Sequence, residues 1–156
     1  MRRLALVLSV GVLVGLSGCA DKVFGPGTGS QSIIVLTCDP NPIVSGVSGS
    51  GATWAARYEA VIQETNDVAA TIVHVHGIIF DDATGVQVGA SFYDSADLKV
   101  FAGGDQLEAK GTKRVLQQIA YSTSGENKSA ATLTLQVKIR DAKGFESTQT
   151  MLVKVQ

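Results

Sequence analysis

The stretch "AATLTLQVKIR", residues 130–140, alternates without a break. Ala131, Leu133, Leu135, Val137 and Ile139 fall on one side, and Thr132, Thr134, Gln136, Lys138 and Arg140 on the other. Successive side chains of a β-strand point to opposite faces, so this period of two predicts a strand with one face in a core and one in water. Downstream, "DAKG" (141–144) reads as a hairpin turn and "FESTQTMLVKVQ" (145–156) as the returning strand, with Met151, Val153 and Val155 on its buried face.

The same grammar extends upstream. "SIIVLTC" (32–38) predicts a first strand, stopped by "DPNP" (39–42) because proline donates nothing to a ladder. "SGVSGSG" (45–51) reads as a loop. "TWAARYEAVIQE" (53–64) predicts a second strand with Trp54, Ala56, Tyr58, Ala60 and Ile62 on one face. The turn "TND" (65–67) leads into "AATIVHVHGIIF" (69–80). "DDATG" (81–85) turns into "VQVGASFY" (86–93), which Gly89 marks as an edge strand. Residues 94–112 hold one short apolar piece, Leu98 to Phe101. "KRVLQQIAYS" (113–122) reads as a further strand, and "SGENK" (124–128) as a turn. Beyond residue 30 no segment shows a convincing apolar period of 3.6 residues. The fold class predicted is all-β: an antiparallel sandwich of about 7–8 strands, with a closed barrel as the alternative.

The first thirty residues follow a different rule. Arg2 and Arg3 precede the apolar run 4–16, which is too short to span a bilayer and matches the core of a signal peptide. The run ends in Leu16-Ser17-Gly18-Cys19, which resembles the lipobox of bacterial lipoproteins. That resemblance implies cleavage before Cys19 and acylation of its sulfur, so membrane lipid becomes a partner through Cys19. Ala20 after Cys19 implies the outer membrane where a cell has two. The domain reading is a signal segment at 1–18, a lipidated cysteine and flexible Gly/Pro-rich linker at 19–30, and one sandwich domain at 31–156.

Two longer patterns carry a second resemblance. "W-x-x-x-Y-x-A-x-I-x-E-T-N-D-V-A-A-T-I", from Trp54, is similar to the B-turn-C region of immunoglobulin-like domains in uncharacterised bacterial envelope lipoproteins. "L-x-L-x-V-x-I-R-D-A-K-G", from Leu133, resembles their F strand and F–G hairpin. The likeness covers residues 31–156 and implies an immunoglobulin-like sandwich without the paired cysteines of antibody domains. Such a fold specifies no function by itself.

Composition narrows the function. The chain has 13 basic and 14 acidic side chains, a net charge of −1, and turns more acidic once Arg2 and Arg3 leave with the leader. No basic stripe points to nucleic acid. With two cysteines, one of them at the lipobox, Cys38 has no partner within the chain and is expected to be buried at a strand end. No G-x-S-x-G, H-E-x-x-H, P-loop or G-x-G-x-x-G is present, so no enzyme and no cofactor are expected.

Three local features bear on binding. His74 and His76, the only two histidines, share a strand face and are candidate metal ligands, with carboxylate, water or Cys38 completing the set. The competing reading is two surface imidazoles. Asp81-Asp82 and Asp94 with Asp97 are candidate calcium ligands or plain turn residues, and Asp105 and Asp141 are read as turn residues. Trp54 and Tyr58 are a sugar platform if exposed, but their apolar neighbours favour core. The expected function is a non-enzymatic, membrane-anchored module for an envelope protein partner, with contact segments at 45–52 and 94–112. The alternatives are metal handling through His74 and His76, or carbohydrate binding and adhesion.

Overall fold

A computed structural model describes residues 30–49, 54–124 and 130–156. The signal segment, Cys19 and the linker through residue 29 lie outside the described residues, as do 50–52 of the first expected contact segment and most of the 124–128 turn.

Two antiparallel sheets pack face to face. The first is centred on β3 (Trp54–Glu64), flanked on one side by β7 (Thr112–Tyr121) and on the other by β1 (Ile34–Asp39) and the short β2 (Ser45–Val47). The second runs β5 (Gln87–Asp94), β4 (Ala70–Asp81), β8 (Ala131–Asp141), β9 (Glu146–Val155), with two-residue β6 (Gln106–Leu107) also on β4. The chain is therefore an all-β sandwich of two sheets. In immunoglobulin lettering β1, β3 and β7 take the places of A, B and E, and β5, β4, β8 and β9 those of C′, C, F and G. Nine strands replace the expected seven or eight because β2 and β6 are too short to show an alternation.

The core is the inward set from both sheets. Ala56, Tyr58, Ala60 and Ile62 of β3 meet Leu133, Leu135, Val137 and Ile139 of β8, all essentially inaccessible. The chain crosses between sheets after β1: Ile43 is fully buried and bridges Val155 in parallel, donating to Lys154 O at 2.9 Å and accepting from Gln156 N at 2.9 Å. This covers one end of the β9 edge.

Three expectations change. Residues 45–47 are strand, paired with β3 from Trp54 to Ala56, so that part of the first contact segment is not a free loop. Residues 95–101 are helical: α1 (Ser95–Phe101) begins at N-cap Asp94, which accepts from the amides of Ala96 and Asp97, while Asp97 reaches back to the Asp94 amide. This reciprocal cap starts a helix too short to display an apolar period. Its buried anchor is Leu98.

The third change is on β4. Strict alternation through residues 69–80 places Ile72 on the face of His74, His76, Ile78 and Phe80. A bulge between Ile72 and His74 leaves Val73 without an opposite residue on β8, so the alternation changes phase. Ile72 is fully buried, whereas His74 and His76 face outward. The bulge lets Ile72, Val75 and Ile79 all enter one core.

Candidate functional site

His74 and His76 stand on the outer face of the second sheet, against β5. Phe92 of β5, half exposed, packs on both: ring centroids lie 5.2 Å from His74 and 5.4 Å from His76, the latter edge-on. Desolvation lowers the His74 pKa, and the positive charges of His76 and Lys138 push it the same way. Asp94 is opposite His74 in the ladder, but its carboxylate is spent on the α1 amides. Cys38, the third ligand considered, lies in the other sheet and faces the core. Among the described residues no group of three His, Cys, Asp or Glu side chains converges to hold a metal. The pair is an aromatic surface cluster.

The acidic turns are closed by the protein's own donors. Asp81 is buried and accepts from Ser124 Oγ at 2.6 Å, Ala83 N at 2.9 Å, Ser124 N at 3.0 Å and Thr84 Oγ1 at 3.1 Å. The Ser124 hydroxyl and amide, with the Ala83 amide, hold its carboxyl down at about 2. Asp105 is buried at the start of β6. It accepts from Ser95 Oγ and from Gln106 Nε2, and these bonds hold it at about 2. Asp82 is an ion-pair partner of Lys154 and accepts from Thr132. Asp141 accepts from the amides of Lys143 and Phe145 and closes the β8–β9 hairpin, whose Gly144 takes a positive φ of 87°. Carboxylates engaged in this way are turn anchors, as was read for Asp105 and Asp141.

Sequence reasoning missed a further anchor, Glu64. Burial opposes its charge, but the amides of Lys110, Asn66 and Ile33 donate to it and win, so its pKa is lowered. The signal was present: an acid closing a strand directly before Thr65-Asn66-Asp67.

Cys38 is buried, as expected. Desolvation, helped by the Asp39 charge, pushes its thiol up to about 11, which leaves a poor nucleophile at neutral pH. Tyr58 is buried, and its hydroxyl donates to Gln117 Oε1 at 2.6 Å. Trp54 packs against the core opposite Tyr121. The two aromatics serve the interior, which removes the sugar platform.

What remains is a groove of about 300 Å³, lined by Arg57, Tyr93, Phe101, Leu116, Gln117 and Gln118. Four elements build it. β3 supplies Arg57, directly opposite Gln118 of β7. The end of β5 supplies Tyr93, whose ring packs 5.6 Å from Phe101 of α1. Phe101 is 64% exposed, and the preceding Val100 is 74% exposed. Of the second expected contact segment, 94–112, only Phe101 reaches this groove; the other lining residues come from elsewhere in the chain.

The comparisons with known proteins speak to the fold. No family model matches the chain, and no curated protein matches it. Among solved structures, the crystal structure of a Bordetella pertussis protein given the name ApaA superposes with a TM-score of 0.52 at 12% identity, covering 78% of this chain and 93% of that one. The X-ray structure of the structural-genomics target SoR45 gives a TM-score of 0.52 at 9% identity, covering 78% and 85%. At such identities the likeness establishes a shared β-sandwich, and the function has to be argued from the site.

Proposed function

We propose that the protein is a bacterial envelope lipoprotein, anchored through acylated Cys19, whose sandwich works as a non-enzymatic module for binding another envelope protein. The observation that carries the reading is the sequence Leu16-Ser17-Gly18-Cys19 behind a basic start and a 13-residue apolar run. Two or three acyl chains hold a protein at a membrane, where one is marginal. The linker at 19–30 then sets the domain just clear of the headgroups. Ala20 after Cys19 directs the protein to the outer membrane in a cell that has two. The groove between α1 and β7 is the contact site this reading favours, since loops on a rigid sandwich carry function.

The test has two parts. Growth with an alkyne-tagged palmitate should label the wild-type chain and leave Cys19→Ser unlabelled. Crosslinking in intact cells should then capture a reproducible protein partner with wild type and lose it with Cys19→Ser. An unlabelled wild-type chain removes the anchor, and an identical partner set from both chains removes the dependence on tethering.

A further inference from the structure

The geometry points to a specific occupant for the groove: a peptide segment of a partner protein that places a carboxylate beside an apolar side chain. This deepens the binding-module reading and rests on it for the peptide's source.

Two independent observations carry it. The first is charge. Among the described residues three arginines can be compared. Arg114 holds Glu59 at 2.6 Å and Asp39 at 3.1 Å, and Arg140 holds Glu146 at 2.6 Å. Arg57 has no carboxylate partner, although it stands two residues from Glu59 on the same strand face. Glu59 is committed to Arg114, so the Arg57 guanidinium is a surplus positive charge at a groove. The Tyr93 hydroxyl and the Gln118 amide, also on the groove, make no hydrogen bond within the described residues. A planar fork of N–H donors with a phenol and an amide nearby is suited to a carboxylate.

The second is the apolar wall. β7 pairs with β3 on one side; on the other, β5 lies close beside it with no ladder among the described residues, and a Cβ on Gly89 would come within 2.9 Å of Ala120 O. The edge of β7 is thus covered, and the groove opens on the outer face that carries Leu116 and Gln118. Phe101 and Leu116 form the apolar wall for the neighbouring side chain, and Arg57 with Gln118 sits beyond Leu116 along β7.

The experiment uses the full lipidated chain in lipid nanodiscs, with the arginine side-chain and backbone amide resonances observed by NMR. Three peptides are titrated: acetyl-TVTVF with a free C-terminus, the same peptide as its C-terminal amide, and the amide acetyl-TVEVF. The expected result is that the free acid or the glutamate peptide shifts the Arg57 Nε and the Gln118 amide and binds at least about tenfold tighter than the uncharged amide. Whichever acid binds tells a chain terminus from a side chain as the source. Arg57→Gln should abolish that advantage, so that acid and amide bind alike. Equal affinity for acid and amide, or shifts confined to the His74–Phe92 face, overturns the proposal. Crosslinking of Arg57→Gln in cells separates the two readings. A partner retained by Arg57→Gln overturns the groove while the module stands. A partner absent even with wild type removes the module reading, and the peptide titration still decides the groove.

Discussion

Three pairs of like residues can be compared around β7, one member of each bonded within the protein and the other not. Tyr58 is buried and bonded to Gln117, whereas Tyr93 leans on Phe101 with its hydroxyl unbonded. Gln117 is fully buried and also donates to Val75 O at 3.4 Å, whereas its neighbour Gln118 is exposed and unbonded. Arg114 binds two carboxylates, whereas Arg57 binds none. In each pair the chain completes the bonds of the first member. The second member of every pair lines the same groove. Polar groups placed for stability are satisfied by the protein because an unpaired buried group costs free energy. Polar groups gathered at a cleft and left open are placed for something else.

The interior half of the comparison breaks most easily at Gly77. A Cβ there would overlap the Tyr58 hydroxyl and come within 2.9 Å of Ile119 Cδ1. The absence of a side chain on β4 is what allows the Tyr58–Gln117 bond to sit between the sheets. Gly77→Ala should destabilise the protein by at least about 1–3 kcal/mol, since overpacked cores lose that much. Urea unfolding followed by Trp54 fluorescence measures it. A loss near zero would show that Tyr58 has room to move.

Next in size is the same substitution at both tyrosines. Tyr58→Phe strands the Gln117 side chain in the interior and should cost about 1–3 kcal/mol, while Tyr93→Phe should stay within about 0.5 kcal/mol of wild type. If the two variants unfold at the same urea concentration, the division between structural and open polar groups fails.

This division was only half legible in the sequence. The face of β8 was readable because residues 131–139 alternate cleanly against one core. The Tyr58 side of β3 was readable for the same reason, and its apolar companions argued correctly for burial. Two features hid from periodicity. The bulge at Val73 changes phase within a run of β-branched residues, where either face looks apolar, so Ile72 was placed with the histidines. The helix 95–101 spans two turns, and its one sign was the Asp94–Asp97 capping pair, which reads equally well as a pair of turn acids. The groove could not be found at all. Arg57, Tyr93, Phe101 and Leu116 are spread over 60 positions, and they meet because β3 and β7 pair while β5 and α1 fold over the edge. Nor can alternation tell a bonded arginine from a free one.

The strand-end carboxylates belong with the satisfied groups, and pH tests them. Asp81 and Asp105 sit at about 2 when folded, below the ordinary 3.8, because hydroxyl, amide and backbone donors favour the ionised form. The unfolded chain therefore binds more protons at pH 3 than the folded one. The stabilisation is complete above the unfolded value and is lost as pH falls from about 5 through 4 toward 2. The doubly substituted Asp81→Asn/Asp105→Asn chain should be less stable at neutral pH and show a flatter decline across that window in equilibrium unfolding. An unchanged slope would assign the acid sensitivity to other groups.

The smallest expected effect is the most informative about the groove. Arg114 is exposed, so its pairing with Glu59 and Asp39 is screened by salt and adds little stability. Arg114→Gln should lower stability slightly at low ionic strength, with the difference closing as salt is added. Arg57→Gln should change stability by less than about 0.5 kcal/mol at any salt concentration, because no carboxylate among the described residues loses a partner. The arginines stand on the same solvent-facing side of one sheet, Arg57 on β3 and Arg114 on β7. A measurable, salt-sensitive loss at Arg57 would mean that the guanidinium finds an acid within the chain in solution. The surplus charge would then belong to the fold, and the groove would lose the feature that selects a carboxylate.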